Sequence, residues 1–308
     1  MTEVVLHIGL HRTGTTTIQR FLNANRSALA EADLLYPVGG FTAENANRGH
    51  RLLVEAVQSG GGPADPWTVV LDEIDKSSAR RVLLSAEEFS RMTSGVDEVA
   101  ARLDGYEVRA VMYVRHPVSF LVSAWKQQVK TGAYTGTCSD FMHERWERAD
   151  YGLMAQRWEA ALGRGRVQVR VYEEAEQAPG LIDDFLDVLA IDVDRGSFRQ
   201  PRERINASPD DATLAVVRVI GKLENRYPSR PVLTRLRRAA RRQEGLMGTV
   251  ISRIGGLIDG HPVHDDDTAW LAGVLGERHR RFLDHYVPPE QQHHLVFGPG
   301  APASTGSS

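Results

Sequence analysis

The 308 residues carry 42% hydrophobic and 25% charged side chains and a formal net charge of −3, an ordinary globular composition with length enough to bury a substantial core. The slightly acidic balance gives no general attraction to nucleic acid or anionic membranes, so any basic site must be local. Cys138 is the only cysteine, which excludes an intramolecular disulfide and a four-cysteine zinc site and fits a reducing compartment.

Val4-Val5-Leu6-His7-Ile8 is a short apolar run rich in β-branched residues and reads as a buried strand. Gly9-Leu10-His11-Arg12-Thr13-Gly14-Thr15-Thr16-Thr17 follows, and Ile18, Phe21, Leu22 and Leu29 then recur at helical spacing. The string parses as strand, tight loop, helix. Such a loop turns backbone N–H groups toward one point, and the start of the following helix favours an anion there. Gly9, Arg12, Thr13, Gly14, Thr15, Thr16 and Thr17 are therefore candidate ligands of a phosphate or sulfate. A Walker A loop has lysine directly after its second glycine. Here Thr15 fills that slot and the cation, Arg12, lies between the glycines, which argues against an ordinary ATP or GTP hydrolase.

Leu35-Tyr36-Pro37 closes the first segment, and the polar stretch from Gly39 to His50 is of a kind that often carries substrate contacts. The spacing predicts short helices over 52–57 and 67–74. Arg81 to Ser85 reads as a second buried strand, ending in Ala86-Glu87-Glu88-Phe89-Ser90, and Val108 to Arg115 as a third, with Pro117 at a first helical position. A helix over 151–162, a strand over 167–172 and a helix over 181–189 complete an α/β alternation, which predicts a parallel sheet flanked by helices on both faces. In such sheets ligands gather beyond the carboxyl ends of the strands, where the Gly9 loop, Glu87 and Arg115 all fall. Helical patterns dominate later, over 211–223, 233–258 and 268–286. The expected organisation is an α/β core over 1–210, a helical C-terminal extension or lid of the same domain over 211–297, and a disordered tail over 298–308.

Arg115-His116-Pro117-Val118-Ser119-Phe120-Leu121-Val122-Ser123-Ala124-Trp125 is the second informative string: an arginine leaves a strand, proline starts a helix, and Ser123 lies about two turns along. Each motif alone has a blander reading, as another anion loop or as a capped helix with a surface arginine. Together, a cradle at one strand end and a basic clamp at a later one suit a nucleotide phosphorylated at both its 5' and 3' positions.

The first string resembles the 5'-phosphosulfate loop of sulfotransferases that use 3'-phosphoadenosine 5'-phosphosulfate (PAPS), particularly bacterial members with G-x-H-K-T-G-T-T, with Arg12 where that family usually has lysine. The second resembles the family's 3'-phosphate site, and Arg170-Val171-Tyr172-Glu173-Glu174 looks like its Y-E-D strand end. The resemblance reaches about Ser208. It implies a P-loop-like fold and transfer of a sulfuryl group from PAPS to a hydroxyl, less often an amine, of a small-molecule, carbohydrate or secondary-metabolite acceptor. Arg115 and Ser123 would grip the 3'-phosphate. Arg12, the loop amides, Thr15 and Thr16 would stabilise charge growing on the leaving oxygen of an in-line displacement. No essential metal is expected. Bacterial relatives have a similar S-S-E string at Ser85-Ala86-Glu87, which makes Glu87 the expected general base, with Glu88 and His50 as alternatives.

Other residues carry weaker expectations. His11 could touch sulfate or acceptor, or hold a structural bond, while His7 reads as a satisfied strand histidine and Trp125 and Trp158 as core. Arg202 to Ser208 could close over a nucleotide or stand in solvent as a charged loop. The run Arg235, Arg237, Arg238, Arg241, Arg242 could attract an acidic partner or be a solvated face. The N-terminus lacks a signal peptide's basic region and apolar core, and no uncharged run approaches the roughly 20 residues of a membrane span, so a cytoplasmic location is expected. An ATP-dependent small-molecule kinase and a non-catalytic nucleotide-binding protein remain the alternative functions.

Overall fold

The computed structural model describes residues 1–42, 49–62, 65–176, 180–191, 195–199, 211–227, 229–242 and 263–298. The expected loop over 202–208, the helical pattern over 243–258 and the tail from 299 lie outside the described residues. The chain divides into two compact units. One comprises Met1–His116, Asp150–Arg202 and Glu277–Val296, and the other Pro117–Ala149, Glu203–Gly276 and Phe297–Ser308.

The first unit is built on a five-stranded, wholly parallel sheet: β1 (Glu3–Ile8), β2 (Leu34–Leu35), β3 (Arg81–Ala86), β4 (Glu107–Val114) and β5 (Val167–Val171), in the order β2-β3-β1-β4-β5. The α/β reading holds, with strand ends shifted by one residue and with β2, two residues long, unpredicted. In β1 every residue from Val4 to Ile8 is buried, the mark of a strand covered on both faces. One face receives Ile18, Phe21 and Leu22 of the helix Thr15–Ala24 together with Ile182, Phe185 and Leu186 of the helix Leu181–Val188. Elsewhere in the unit Phe89 meets the fully buried Trp158 of the helix Tyr151–Leu162 edge to face at 5.5 Å, and Trp67 donates its indole N–H to the Leu53 carbonyl at 3.0 Å. Trp158 is core, as read.

In the second unit the helix Pro117–Thr131 buries Trp125, whose indole donates to the Gly136 carbonyl at 3.2 Å. The helix Cys138–Arg145 begins with a reciprocal capping box between Thr137 and Asp140. The helices Asp211–Arg226 and Pro231–Arg242 pack on each other, joined by an Arg237–Glu224 ion pair at 2.6 Å.

Four histidines of the first unit, His7, His50, His116 and His279, are buried, and burial lowers the pKa of each. Burial lowers His7 to about 4, His50 to about 3 and His116 to about 4. In the unfolded chain each titrates near 6.5, so the unfolded state binds more protons as the pH drops below that value. Their contribution to stability is complete above pH 6.5 and is lost as the pH falls toward the folded-state values. Between pH 7 and pH 5 we expect a loss of about 2 kcal/mol for each of His7, His50 and His116, with His279 adding in the same direction. Glu173, raised by its burial, opposes this as one group against four. Urea unfolding at the two pH values checks it: an unchanged free energy would mean that these rings are not held neutral.

Candidate functional site

The sheet register assembles the site before any side chain is considered. Pairing of Ile8 with Ala86 and with Met112, and of Val114 with Val171, lines up the ends of β1, β3, β4 and β5. The segments leaving those ends are the Gly9 loop, Glu87, Arg115 and Tyr172-Glu173, all within the first unit.

The loop is held tightly. The Gly9 N–H donates to the Ala86 carbonyl at 3.0 Å, and a Cβ at position 9 would fall 2.5 Å from Thr15 Cγ2. Gly14, the residue before the helix, is left-handed at φ 75°, and a side chain there would collide with Leu181. The buried hydroxyls of Thr13 and Thr15 both donate to the Leu10 carbonyl at 2.9 Å. In this geometry the Thr13 hydroxyl, and that of Thr15, which was expected as a hydroxyl donor, tie the loop to itself, and both residues retain their N–H groups toward an anion. Thr16 is half-buried and Thr17 exposed. No side chain caps the helix Thr15–Ala24, so the amides of its first turn are available as donors.

Arg12 sits in this loop with φ 67°, one of three described non-glycine residues in the left-handed region. Its guanidinium is disfavoured first by burial and then by the positive charge of Arg115. Arg115 Nη1 donates to the Arg12 carbonyl at 3.3 Å, its Nε lies 3.4 Å from Glu173 Oε1, and its guanidinium lies 5.5 Å from the centre of the Tyr172 ring. Tyr151 donates its hydroxyl to the Arg115 carbonyl at 2.9 Å. Two cations thus reach one loop, one of them braced by a half-buried carboxylate. Like charges brought together in this way favour an anion between or beside them.

Glu87 follows β3, and its carbonyl accepts from both the N–H and the hydroxyl of Ser90, at 3.2 and 2.7 Å. Its Oε2 lies 3.0 Å from His11 Nδ1. Arg91 donates to His11 Nε2. Because arginine only donates, Nε2 must be the accepting nitrogen, and the ring proton lies on Nδ1, aimed at Glu87. His11 and Glu87, singled out separately in the sequence, are therefore one pair. Arg91 was not anticipated; its place four residues after Glu87 in a tight helical turn was the available signal.

The alternatives to Glu87 stand differently. Glu88 is half-buried with Arg51 3.9 Å away. His50 is fully buried, accepts from the Ser85 N–H at 3.0 Å and donates to the Pro37 carbonyl at 3.2 Å, so both ring nitrogens are engaged in the fold. His7 is only half satisfied: Nδ1 meets Ser85 Oγ at 2.8 Å, and Nε2 has no hydrogen-bond partner among the described residues. Ser123 belongs to the second unit, half-buried on the same helix as Lys126 and Lys130. Among the described residues no group of three or more histidine, cysteine, aspartate or glutamate side chains is placed to hold a metal ion, and no helix is long and apolar enough to cross a membrane.

No protein-family model and no curated protein matches the chain. Solved structures do. The chain is similar to a sulfotransferase from Alicyclobacillus acidocaldarius at 17% identity, over 75% of this chain and 98% of that one, with a TM-score of 0.43. It is similar to the sulfotransferase domain from the curacin biosynthetic pathway at 12% identity, over 63% and 76%, with a TM-score of 0.41. It is also similar to the sulfotransferase domain of the Synechococcus PCC 7002 olefin synthase at 11% identity, over 73% and 95%, with a TM-score of 0.38.

Proposed function

We propose that the protein is a PAPS-dependent sulfotransferase acting on a hydroxyl, less often an amine, of a small-molecule or carbohydrate acceptor. The observation that carries this reading is the convergence of Arg12 and Arg115 on the glycine-bounded loop, with the Glu87–His11 pair at the neighbouring strand end. The residues present suit the co-substrate: amides at a helix start for the 5' phosphosulfate, and a braced arginine fork for the 3'-phosphate. Ser123 is assigned to the 3'-phosphate on the sequence pattern alone.

In this reading the acceptor oxygen forms a bond to sulfur as the bond from sulfur to the 5'-phosphate oxygen breaks, and the displaced phosphate carries the charge away. Arg12 and the loop amides are the groups that stabilise that charge. Glu87 accepts the acceptor's proton through its carboxylate, oriented by the N–H of His11. No metal is assigned a step. We further propose that the helical region after Asn206 shapes the choice of acceptor and that the protein works in the cytoplasm.

Calorimetric binding of 3'-phosphoadenosine 5'-phosphate (PAP), the product nucleotide, without magnesium tests the proposal. Wild type should bind it, Arg115→Ala should bind about 100-fold more weakly through loss of charge-assisted bonds to phosphate, and ATP should not compete. Failure to bind PAP, or binding of ATP only with magnesium, would replace this reading with a kinase.

A further inference from the structure

The second unit holds a basic and apolar surface, and neither PAPS binding nor choice of acceptor needs both its exposed cations and the exposed side chains beside them. Residues 211–242 contain nine arginines and lysines against two carboxylates, in a chain whose net charge is −3. One of the carboxylates, Glu224, is engaged by Arg237. The same stretch exposes Val219 (54%), Leu223 (41%), Tyr227 (45%), Val232 (52%) and Leu236 (37%), half of the large hydrophobic side chains that the described residues leave exposed. Val219, Leu223 and Tyr227 follow one another at four-residue steps along and just beyond the helix Asp211–Arg226, and Val232 and Leu236 are spaced alike on Pro231–Arg242. Each helix therefore carries an apolar stripe on one side. Lys222, Arg226, Arg230, Arg235 and Arg238 are exposed as well. The guanidiniums of Arg226 and Arg230 lie 5.9 and 5.6 Å from the centre of the Tyr227 ring.

We propose that this helix pair is a docking surface for an anionic lipid bilayer. Apolar stripes flanked by arginine and lysine, on helices too polar to span a membrane, are what binding in the interfacial plane of an anionic leaflet requires. The aliphatic side chains and the Tyr227 ring enter the headgroup boundary, and the flexible cations reach lipid phosphates while their stems lie along the apolar surface. A protein partner would call for tryptophan or similar anchors seated in pockets, and these exposed positions are aliphatic apart from one tyrosine. With the chain as a whole acidic, the attraction is local to this stretch, as charge complementarity to an anionic surface demands.

Sedimentation of the full chain with phosphatidylcholine vesicles, with or without about 30% phosphatidylserine, tests the proposal. Wild type should sediment with the anionic vesicles, not with the neutral ones, and should be released at about 0.5 M salt. An Arg226→Gln, Arg230→Gln, Arg235→Gln, Arg238→Gln variant and a Leu223→Ser, Val232→Ser variant should each bind at least about tenfold more weakly. All six positions are exposed, and a thermal melt confirms that each variant folds. Wild type that ignores anionic vesicles, or variants that bind like wild type, would overturn the proposal. Capture by soluble polyglutamate without vesicle binding would also overturn it, in favour of an acidic polypeptide partner.

Discussion

Arg12→Gly should leave the fold within about 1 kcal/mol of wild type while weakening PAP binding about 100-fold. Both halves come from the loop backbone. At φ 67° a residue with a Cβ is strained by roughly 1–2 kcal/mol, which glycine relieves. Glycine's greater freedom in the unfolded chain then takes back about 0.5–1 kcal/mol. The guanidinium is another matter, since its charge-assisted bonds to a phosphate are worth about 1.5–3 kcal/mol each. Arg12→Lys, which restores the residue usual in the family that the loop resembles, keeps the cation but loses the planar fork, and should fall between the two. Urea denaturation paired with PAP calorimetry on the three proteins measures both quantities. If Arg12→Gly bound PAP as tightly as wild type, the strained arginine would have no part in anion binding and the loop would hold its ligand by amides alone.

Glu87→Gln should lower kcat for sulfuryl transfer by about 10²–10⁴, the usual contribution of a positioned base, and leave PAP affinity within about twofold of wild type. Glutamine keeps the shape and can still accept from His11 Nδ1, 3.0 Å from the wild-type carboxylate, so the substitution removes the basic oxygen with little change of packing. His11→Phe should produce a smaller loss, because it removes only the donor that orients Glu87. Single-turnover transfer from radiolabelled PAPS to an acceptor found by screening phenols, alcohols and amines separates chemistry from product release. Full activity in Glu87→Gln would move the base elsewhere, and Glu88, 3.9 Å from Arg51, would be the next residue to test.

The parts of this architecture that are written locally were legible in the chain. The strands read over Val4 to Ile8, Arg81 to Ser85 and Val108 to Arg115 have apolar centres because a parallel strand is covered on both faces, and the strand-loop-helix at Gly9 needs only its own residues. What could not be read depends on groups that meet across the sequence. The two-residue β2 exists by pairing with β3 and has no pattern of its own. The Arg91 contact that fixes the His11 tautomer spans 80 positions, and the brace of Arg115 by Glu173 depends on β4 and β5 lying side by side. The left-handed backbone of Arg12 was hidden for a different reason: nothing in an arginine announces a conformation usually left to glycine. Thr13 and Thr15 illustrate the same limit, since a hydroxyl in an anion loop can serve the ligand or the loop, and only geometry distinguishes them.

The central place of β1 carries a cost during biosynthesis. Its hydrogen-bonding neighbours on either side are β3 and β4, whose residues end at Ala86 and Val114. At a synthesis rate of about 5–20 residues per second, the second neighbour is complete about 5–20 s after the ribosome has finished Ile8. Through that interval Val4-Val5-Leu6-His7-Ile8 is an apolar strand with both edges unsatisfied, the kind of segment that pairs with other chains when left uncovered. The strand that seats the anion loop is thus left uncovered through that interval, and refolding from denaturant should be slow and prone to aggregation for the same reason.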